Sequence, residues 1–428
     1  MARYLYAALF YAAQPLVWLR LLWRGRKQPE YRQHVGERYG FYAQRTPAPL
    51  IWLHAVSVGE TRAAEPLIEA LLARHPDHAL LLTHMTPTGR ETGHMYVDRH
   101  PGRVLQAYLP YDLPDAAARF FNHFRPAFGL FMETELWPNI IAAAKARGIP
   151  TALVNARLSA RSQRGYARLG ALSQPAFAAL DLVTAQTAAD AARIRALGAR
   201  HVSVTGNLKF DVRPDEEKQA RGRNWHAEIG ARPVWLAAST RDGEEALILD
   251  ALAQIEHTNR LPNLLLILVP RHPQRFEEVA TLIRARGLTL KRRSNGDFPE
   301  ATTRVWLGDS MGEMASWYAT ADLALIGGSL LPFGGQNLIE AAACGCPVVV
   351  GPHTFNFAQA ADDAVACGAA VRIAGAEALA STVQEILGAP EARINMKEKA
   401  IAFSSVHQGA TDRTMALLEP LTAVATGR

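Results

Sequence analysis

The chain has 428 residues, of which 49% are hydrophobic and 20% are charged, and its formal net charge is +6. This length predicts two domains rather than one, and this composition excludes an intrinsically disordered chain. The positive charge favours an anionic partner such as an acidic lipid or a phosphorylated substrate, or reflects a solvated basic surface, but no run of Lys and Arg is dense enough for a nucleic-acid-binding arm.

The N-terminal segment, residues 1–27, predicts attachment to a membrane. Residues 4–19 are apolar except for Gln14 and Pro15, and a basic cluster follows, which comprises Arg20, Arg24, Arg26 and Lys27. This cluster places the rest of the chain in the cytoplasm. A cleaved signal peptide is disfavoured because only Arg3 precedes the apolar stretch. A full span and an interfacial helix remain open alternatives.

From residue 50 onward, short apolar runs alternate with amphipathic stretches, which predicts an α/β protein with parallel sheets. The strand candidates of the first half are residues 50–55, 79–84, 103–109, 127–131, 151–154, 182–185 and 201–205, with helices at 61–74 and 137–147. Those of the second half are residues 234–238, 264–269, 304–307, 323–326 and 347–350, with helices at 244–256 and 274–286.

A polar stretch at residues 213–232 interrupts the alternation, and we place the interdomain linker there or just before it. The predicted domains are therefore residues 28–212 and 213–428. Two doubly wound halves imply two Rossmann-like domains that face a cleft, with ligands at the carboxyl ends of the strands.

The first motif that carries chemistry is HAVSVGE, residues 54–60, between a strand and a helix. Its carboxylate, Glu60, could accept a proton from an attacking sugar hydroxyl. The alternative is a glutamate that only stabilises the helix N-terminus through the helix dipole.

Two further motifs of the first half also follow strands. In METELWPN, residues 132–139, Glu133 and Glu135 could hold sugar hydroxyls, polarise the site or bind a metal, or could simply mark a helix entry before Pro138. In GNLKFD, residues 206–211, Lys209 could neutralise a phosphate leaving group or be a surface lysine.

In the second half, three turns that follow strands are candidates for a phosphate or nucleotide site. They contain Arg271 and His272; Met311, Gly312 and Glu313; and Asn337, Leu338, Ile339 and Glu340 behind the glycines at 327–328 and 334–335. Arginine is a bidentate phosphate ligand, and a helix N-terminus behind a glycine-rich turn binds anions.

Several sites are absent from the sequence. It lacks the P-loop motif and a G-x-G-x-x-G after the first strand, which argues against nucleotide hydrolysis and dinucleotide-dependent oxidoreduction. It also lacks H-E-x-x-H and D-x-D, so we expect no dedicated catalytic metal and no cofactor. The three cysteines, Cys344, Cys346 and Cys367, have neither the number nor the partners of a disulfide framework or a zinc site, and we assign them to packing in a reducing compartment.

In this order, the motifs HAVSVGE, METELWPN, NARLSARS (residues 155–162), GNLKFD and GGQNLIEAA (residues 334–342) resemble the bacterial 3-deoxy-D-manno-octulosonic acid (Kdo) transferases of lipopolysaccharide assembly. The resemblance covers nearly the whole chain, and it includes the GERYG motif at residues 36–40. One departure is Asn207, where some relatives carry Ser.

The resemblance implies a GT-B fold, CMP-Kdo as the donor substrate and a lipid A precursor, lipid IV(A), as the acceptor. It implies Glu60 as general base, and Glu133 and Lys209 as groups that stabilise the transition state. It implies that CMP is bound by Arg271 and His272, by Met311–Glu313 and by Asn337–Glu340. The expected reaction is a metal-independent displacement with inversion.

Two rival functions predict different properties. A GT-B enzyme with a UDP-sugar donor and another lipid acceptor would release UDP. A non-catalytic protein that binds membranes or nucleic acid through its basic surface would be indifferent to the loss of Glu60 and sensitive to salt.

Overall fold

The structure, a computed structural model, describes residues 1–45, 48–212 and 214–426. The chain forms two compact units, one of residues 1–212 together with the segment from Gln408 onward, and one of residues 213–407. Each unit is built on a seven-stranded, wholly parallel sheet with helices on both faces. The α/β class with two Rossmann-like domains is thus confirmed.

The sheet of the first unit has the strand order β3-β2-β1-β4-β5-β6-β7. Its strands are β1 Leu50–His54, β2 Ala79–His84, β3 Val104–Tyr108, β4 Phe128–Met132, β5 Thr151–Ala156, β6 Leu182–Ala185 and β7 Val202–Val204. Its helices are α1 Ala2–Ala12, α2 Gln14–Lys27, α3 Val58–Ala63, α4 Glu65–Arg74, α5 Pro87–Arg99, α6 Pro114–Phe124, α7 Pro138–Lys145, α8 Ala160–Arg168, α9 Gly170–Ala179 and α10 Ala188–Ala196.

Both faces of this sheet are buried, which explains why its strands read as continuous apolar runs. Alternate residues of β1 point to opposite faces: Trp52 packs under α6 against Phe120, while Ile51 and Leu53 join the core beneath α4. Every residue of β1, β2 and β4 is buried.

The N-terminal segment is two helices rather than one, with a 51° bend between α1 and α2. Pro15 is in the first turn of α2, where a proline is tolerated, and the bend falls just before it. No single described helix is both long and apolar enough to cross a bilayer, although the bent pair meets that criterion when taken together.

Polar and aromatic contacts join these two helices to the first unit. Tyr11 donates a hydrogen bond to Asp115, and Tyr39 donates one to Gln14 Oε1 at 2.9 Å. Trp18 stacks on Tyr39 with 5.8 Å between ring centroids. The large side chains that remain exposed on the pair include Leu5, Leu9, Leu16, Leu19 and Trp23. Membrane attachment of this segment stays a prediction.

The sheet of the second unit has the order β10-β11-β9-β8-β12-β13-β14. Its strands are β8 Val234–Thr240, β9 Leu265–Pro270, β10 Leu290–Arg292, β11 Val305–Leu307, β12 Leu323–Ile326, β13 Val348–Val350 and β14 Ala370–Arg372. Its helices are α11 Glu216–Ile229, α12 Glu244–Thr258, α13 Phe276–Ala285, α14 Met314–Thr320, α15 Leu338–Ala343, α16 Ala358–Ala366, α17 Leu379–Leu387 and α18 Pro390–Val406; the last helix of the chain, α19 Ala410–Thr426, belongs to the first unit.

The two units divide between residues 212 and 213, as the predicted domain boundary has it, but the stretch that was predicted to be a linker is not one, because most of it forms α11. Asp215 caps this helix through hydrogen bonds from the N–H groups of Glu217 and Lys218. Its one large aromatic residue, Trp225, packs against Trp306 and Trp317 of the second unit. A helix with a single apolar anchor shows little periodicity, which is why its sequence resembles a linker. Arg213 lies outside the described residues.

The predicted second domain, residues 213–428, also needs correction at its C-terminal end. From Gln408 onward the chain packs on the first unit. Asp211 accepts hydrogen bonds from the N–H groups of Gly409 and Thr411 at 2.6 and 2.5 Å, and Leu418 of α19 is fully buried. The first unit is therefore completed by the last helix of the chain.

All twelve predicted strands are present to within about two residues, the usual scatter of strand ends. The sequence reading missed β10 and β14. Each has only three residues and lies at an edge of the second sheet, where one neighbouring strand suffices and no apolar run is needed. The three cysteines are free: Cys346 is buried, Cys344 is half-buried and Cys367 is exposed.

Candidate active site

The first candidate site lies where the strand order of the first sheet reverses, between β1 and β4. Connections leave these two neighbouring strands in opposite directions, and the carboxyl ends of such a pair form a natural ligand crevice. Glu60 follows β1, and Glu133 and Glu135 follow β4. The topology thus brings together two motifs that are more than seventy residues apart in the sequence.

Hydrogen bonds fix the carboxylate of Glu60. It accepts from the N–H of Val56 at 2.8 Å and from the hydroxyl of Ser57 at 3.1 Å. Ser57 also caps α3 by accepting from the N–H of Glu60. His84 of β2 donates from Nδ1 to the carbonyl of Ala55 at 2.9 Å, and this hydrogen bond fixes the start of the turn between β1 and α3.

The environment of Glu60 raises the pKa of its carboxyl to about 8. Burial is the main cause, and the negative charge of Glu133 adds to it; the hydrogen bonds from Val56 and Ser57 act in the opposite direction. A helix-start glutamate in solvent would keep an ordinary acidic pKa. A carboxyl that titrates near neutral pH within a strand-end crevice is typical of a general acid or base.

Glu133 and Lys209 form an ion pair, with Lys209 Nζ 3.0 Å from Glu133 Oε1 and both side chains about four-fifths buried. Glu133 has φ 56°, the left-handed region that a non-glycine residue enters only at some cost. Strain of this kind persists where the surrounding structure imposes it, often at functional sites. The structure therefore brings the three predicted catalytic residues Glu60, Glu133 and Lys209 into one cluster.

Asn155, the first residue of the NARLSARS motif, holds the turn that carries Lys209. Its Oδ1 accepts from the N–H of Leu208 at 3.1 Å, and its own φ is 53°. The pairing of β5 with β6 shifts register at this point, and the side chain of Gln186 donates to the carbonyl of Asn155. Asn155 was not among the predicted site residues, although its motif was recognised.

A third carboxyl, Glu135, belongs to the same cluster; the sequence offers it the same possible roles as Glu133, but the family resemblance assigns it none. Burial, with a contribution from the charge of Glu133, raises its pKa to about 7. The sequence signal was present, because Glu133 and Glu135 are two residues apart after the same strand. Spacing could not show that both would be buried next to Glu60.

In the second unit the strand order reverses between β8 and β12. Glu244, at the start of α12, is fully buried and bridges the turns after both strands. It accepts from the N–H of Arg241 at 2.9 Å, of Gly328 at 2.6 Å and of Leu330 at 3.0 Å. This carboxylate shapes the predicted glycine-rich turn.

Basic side chains gather beside that turn. Arg271 and His272 directly follow β9, and the N–H of Arg271 is bonded to the carbonyl of Thr240 at 3.0 Å. Burial lowers the pKa of His272, and the charges of Arg241, Arg271 and Arg275 lower it further. Arg275 is neutralised by Glu245 at 3.0 Å.

Arg241 is the cation of this group that the sequence reading missed. Its guanidinium lies over the ring of Phe333 at 4.8 Å. The neighbouring acids are occupied, Glu244 by backbone amides and Glu245 by Arg275. The available signal was an arginine directly after the first strand of a Rossmann-like half, which periodicity alone does not single out.

Met311, Gly312 and Glu313 lie between β11 and α14. Met311 is 56% exposed, and Gly312 has φ 79°, a conformation that glycine adopts freely. The carboxylate of Glu313 is already engaged by Arg293 at 3.0 Å and by Arg221 at 2.9 Å. In this structure that turn offers a nucleotide backbone groups and the Met311 side chain rather than a free carboxylate.

Asn337–Glu340 form the start of α15. Asn337 caps the helix by accepting from the N–H of Ile339 at 3.1 Å. Leu338 and Ile339 are core residues, each 1% exposed, so a ligand could meet only their backbone. Glu340 is half-buried. α15 packs against α14, which makes this turn a neighbour of Met311–Glu313.

Residues 33–212 match the family model described as 3-Deoxy-D-manno-octulosonic-acid transferase (kdotransferase), and residues 247–403 match that of Glycosyl transferases group 1. The 3-deoxy-D-manno-octulosonic acid transferase of Bordetella pertussis is 46% identical over 98% of this chain and 99% of its own length. The chain belongs to the Kdo transferase family. A Kdo transferase of Haemophilus influenzae is 37% identical over 98% of this chain and 99% of its own length.

The fold of this Kdo transferase is also found in a solved structure. A glycosyltransferase from Rickettsia africae ESF-5 superposes with a TM-score of 0.58 over 88% of this chain and 99% of its own, at 13% identity. At that identity the likeness concerns the fold alone, and it agrees with the GT-B architecture. The protein is a glycosyltransferase, and its family transfers Kdo.

Proposed function

We propose that this Kdo transferase moves Kdo from CMP-Kdo to a lipid A precursor, lipid IV(A), by a metal-independent displacement with inversion in which Glu60 is the general base. The observation that carries the proposal is the half-buried Glu60 carboxyl, oriented by Val56 and Ser57 and held near neutral pKa by burial and by Glu133.

In the proposed step, the Glu60 carboxylate takes the proton of an acceptor hydroxyl. The hydroxyl oxygen forms a bond to the anomeric carbon of Kdo while the bond from that carbon to the phosphate oxygen breaks. CMP leaves with the electron pair of that bond. The paired Glu133 and Lys209 are placed to stabilise charge around the reacting atoms, because an ion pair that is four-fifths buried is a fixed dipole in a weakly screened environment.

The second unit would bind CMP-Kdo. Arg271, His272 and Arg241 supply donors for the phosphate, and the turns at 311–313 and 337–340 supply backbone groups beside the nucleotide. We propose that Arg241 and Arg271 offset the charge on the leaving phosphate without a metal ion, while His272, whose pKa is lowered, serves as a neutral hydrogen-bond donor. The same rate with and without a chelator such as EDTA supports this; a rate lost in EDTA and restored by a divalent cation contradicts it.

The acceptor is a membrane lipid in this proposal, and the enzyme works at the cytoplasmic face of the inner membrane. Support comes from the bent helix pair α1–α2, which exposes Leu5, Leu9, Leu16 and Leu19 and carries Arg20. Apolar and basic residues on one amphipathic segment favour an anionic bilayer surface.

The test measures CMP release by purified protein given CMP-Kdo and a tetra-acylated lipid A precursor, for the wild type and for Glu60→Ala. We expect acceptor-dependent release that falls by about 10²- to 10⁴-fold in the variant, the usual contribution of a general base. Mass spectrometry of the lipid counts the sugars added.

Each outcome has a distinct meaning. No CMP release by a folded wild type, with UDP release from a UDP-sugar instead, overturns the proposed donor. Release that is unchanged in Glu60→Ala keeps the reaction and removes Glu60 as its base. Release without any acceptor would show hydrolysis rather than transfer.

A further inference from the structure

One segment of the first unit carries basic residues without any acidic counterpart. Between Glu135 and Asp181 the sequence contains no Asp or Glu, yet it contains Lys145, Arg147, Arg157 and the three arginines of α8. The chain as a whole has nearly as many acidic as basic residues, 40 against 46. The imbalance is therefore local to β5, α8 and their surroundings.

The three arginines of α8 are Arg161, Arg164 and Arg168. Their spacing of three and four residues places them on one side of the helix, and all three are exposed. Within the described chain they form no ion pair. Arginines of other helices do find partners: Arg99 of α5 lies 2.9 Å from Glu65, and Arg119 of α6 lies 2.7 Å from Asp115.

Hydrogen bonds attach α8 to the loop that carries Glu133. Tyr166 of α8 donates to the carbonyl of Thr134 at 3.3 Å, and Thr134 donates from Oγ1 to the carbonyl of Arg157 at 2.9 Å. Arg157 in turn donates its N–H to the carbonyl of Glu133 at 3.4 Å. α8 is thus joined to the loop that carries Glu133, at the carboxyl ends of β4 and β5, with Tyr166 facing that loop and the three arginines exposed on the other side of the helix.

We propose that Arg161, Arg164 and Arg168 form a binding surface for phosphate groups of the acceptor. Guanidinium groups bind phosphate through planar, paired N–H donors, and a cationic surface free of internal carboxylates retains its charge for such a ligand. We assign this surface to the acceptor rather than to bilayer headgroups because the helix that carries it is joined to the loop of Glu133, where the acceptor hydroxyl must arrive. This inference rests on the proposed function and adds to it how the acceptor is recognised.

The variant for the test is R161Q/R164Q/R168Q, which keeps side-chain length and removes three charges. The matched control is R45Q/R200Q/R260Q. These arginines are also exposed and have no ion pair in the described residues, and they precede β1, β7 and β9 at the amino ends of the strands. Both proteins carry the full chain and the same net charge.

Initial rates are measured in detergent micelles with CMP-Kdo and with two acceptors, a phosphorylated tetra-acylated lipid A precursor and the same lipid after phosphatase treatment. For the phosphorylated acceptor we expect the α8 variant to raise KM by about ten-fold or more, with kcat and the KM for CMP-Kdo changed by less than about two-fold. With the dephosphorylated acceptor, wild type and variant should have the same KM. The control variant should match the wild type throughout.

Three outcomes overturn the inference. One is an unchanged KM for the phosphorylated acceptor in an active variant. Another is an equal loss on both acceptors, which would indicate a structural role. The third is loss of binding to phosphatidylethanolamine–phosphatidylglycerol vesicles with an unchanged KM in micelles, which would assign the arginines to headgroups. A wild type inactive on both acceptors would instead overturn the proposed function, and the inference with it.

Discussion

At the scale of single residues, the central feature of the protein is a carboxyl whose surroundings oppose its ionisation. Glu60 is held by Val56 and Ser57 next to Glu133, and its pKa is raised to about 8 by burial and by that neighbouring charge. Lys209 offsets part of the negative charge through its 3.0 Å contact with Glu133. The balance of these groups determines when Glu60 can accept a proton.

This balance predicts the pH dependence of the reaction. A base with a pKa near 8 is mostly protonated at pH 7, so kcat/KM should rise with pH and level off above about pH 8. Glu133→Gln removes a negative charge beside Glu60, which lowers the pKa of Glu60 and should move the rising limb to lower pH. The measurement is kcat/KM from pH 5.5 to 9.5 for both proteins. Superimposable limbs would show that Glu60 is not the titrating group.

The same carboxyl predicts an effect on stability. In the folded protein Glu60 retains its proton up to about pH 8, whereas in the unfolded chain it loses it near the ordinary value of 4.5. Folding is therefore favoured by this group at low pH, and the contribution is lost as pH rises from about 4.5 to 8. Glu60→Gln cannot ionise, so its Tm should exceed that of the wild type at pH 8.5 and be close to it at pH 5. A glutamate that merely stabilised the start of α3 would give a lower Tm in the variant at high pH.

At the scale of secondary-structure elements, close contacts determine which helices belong to which sheet. α11 lies so near α14 that a Cβ on Gly222 would be 2.2 Å from the carbonyl oxygen of Ser316. Trp225 of the same helix packs on Trp317 of α14. The glycine and the tryptophan together dock a polar helix that its own sequence does not mark as part of a core.

Two glycine substitutions test this contact. Gly222→Ala should lower the free energy of unfolding by about 1–3 kcal/mol, because the backbone of α14 cannot move aside without cost. Gly165→Ala in α8 is the control, since a Cβ there meets nothing within 4 Å and alanine is the better helix former by up to about 1 kcal/mol. Chemical denaturation of both variants gives the comparison. Equal stabilities of the two variants would contradict the close approach of α11 to α14.

At the scale of the whole molecule, the chain leaves the first unit at Val212, builds the second, and returns to the first at Gln408. α19 then packs on the same face of the first sheet as α4. Leu418 of α19 is fully buried there, and Arg413 donates a hydrogen bond to the carbonyl of Thr205 at 2.8 Å. Two fold units thus do not correspond to two continuous halves of the sequence.

Truncation after His407 should therefore destabilise the first unit and spare the second. Loss of Leu418 alone removes about 2 kcal/mol of burial free energy from the first unit. In calorimetry of residues 1–407, CMP identifies the unfolding transition of the second unit because it raises the temperature of that transition. The other transition, which CMP does not shift, should occur at a lower temperature than in the full chain. A truncated protein in which only the CMP-responsive transition is lowered would show that α19 stabilises the second unit instead.

The sequence by itself determined the class of the fold, twelve of the fourteen strands, the family and the candidate residues Glu60, Glu133 and Lys209. This is possible because strands that are buried on both faces appear in the sequence as continuous apolar runs. It is also possible because the residues that bind substrates in α/β proteins directly follow such strands. Turns that are charged or rich in glycine between those runs are visible without any knowledge of contacts.

Only the tertiary structure decided which of these groups meet. The nearness of Glu60, Glu133 and Glu135 follows from the order of β1 and β4 in the sheet, and burial, which sets their pKa values, is a property of the assembled unit. The docking of α11 and the return of α19 rest on a few contacts distant in sequence, such as Trp225 with Trp317 and Gly409 with Asp211. Contacts between residues far apart in the chain leave no periodic trace in the sequence, because each partner satisfies only its own local pattern.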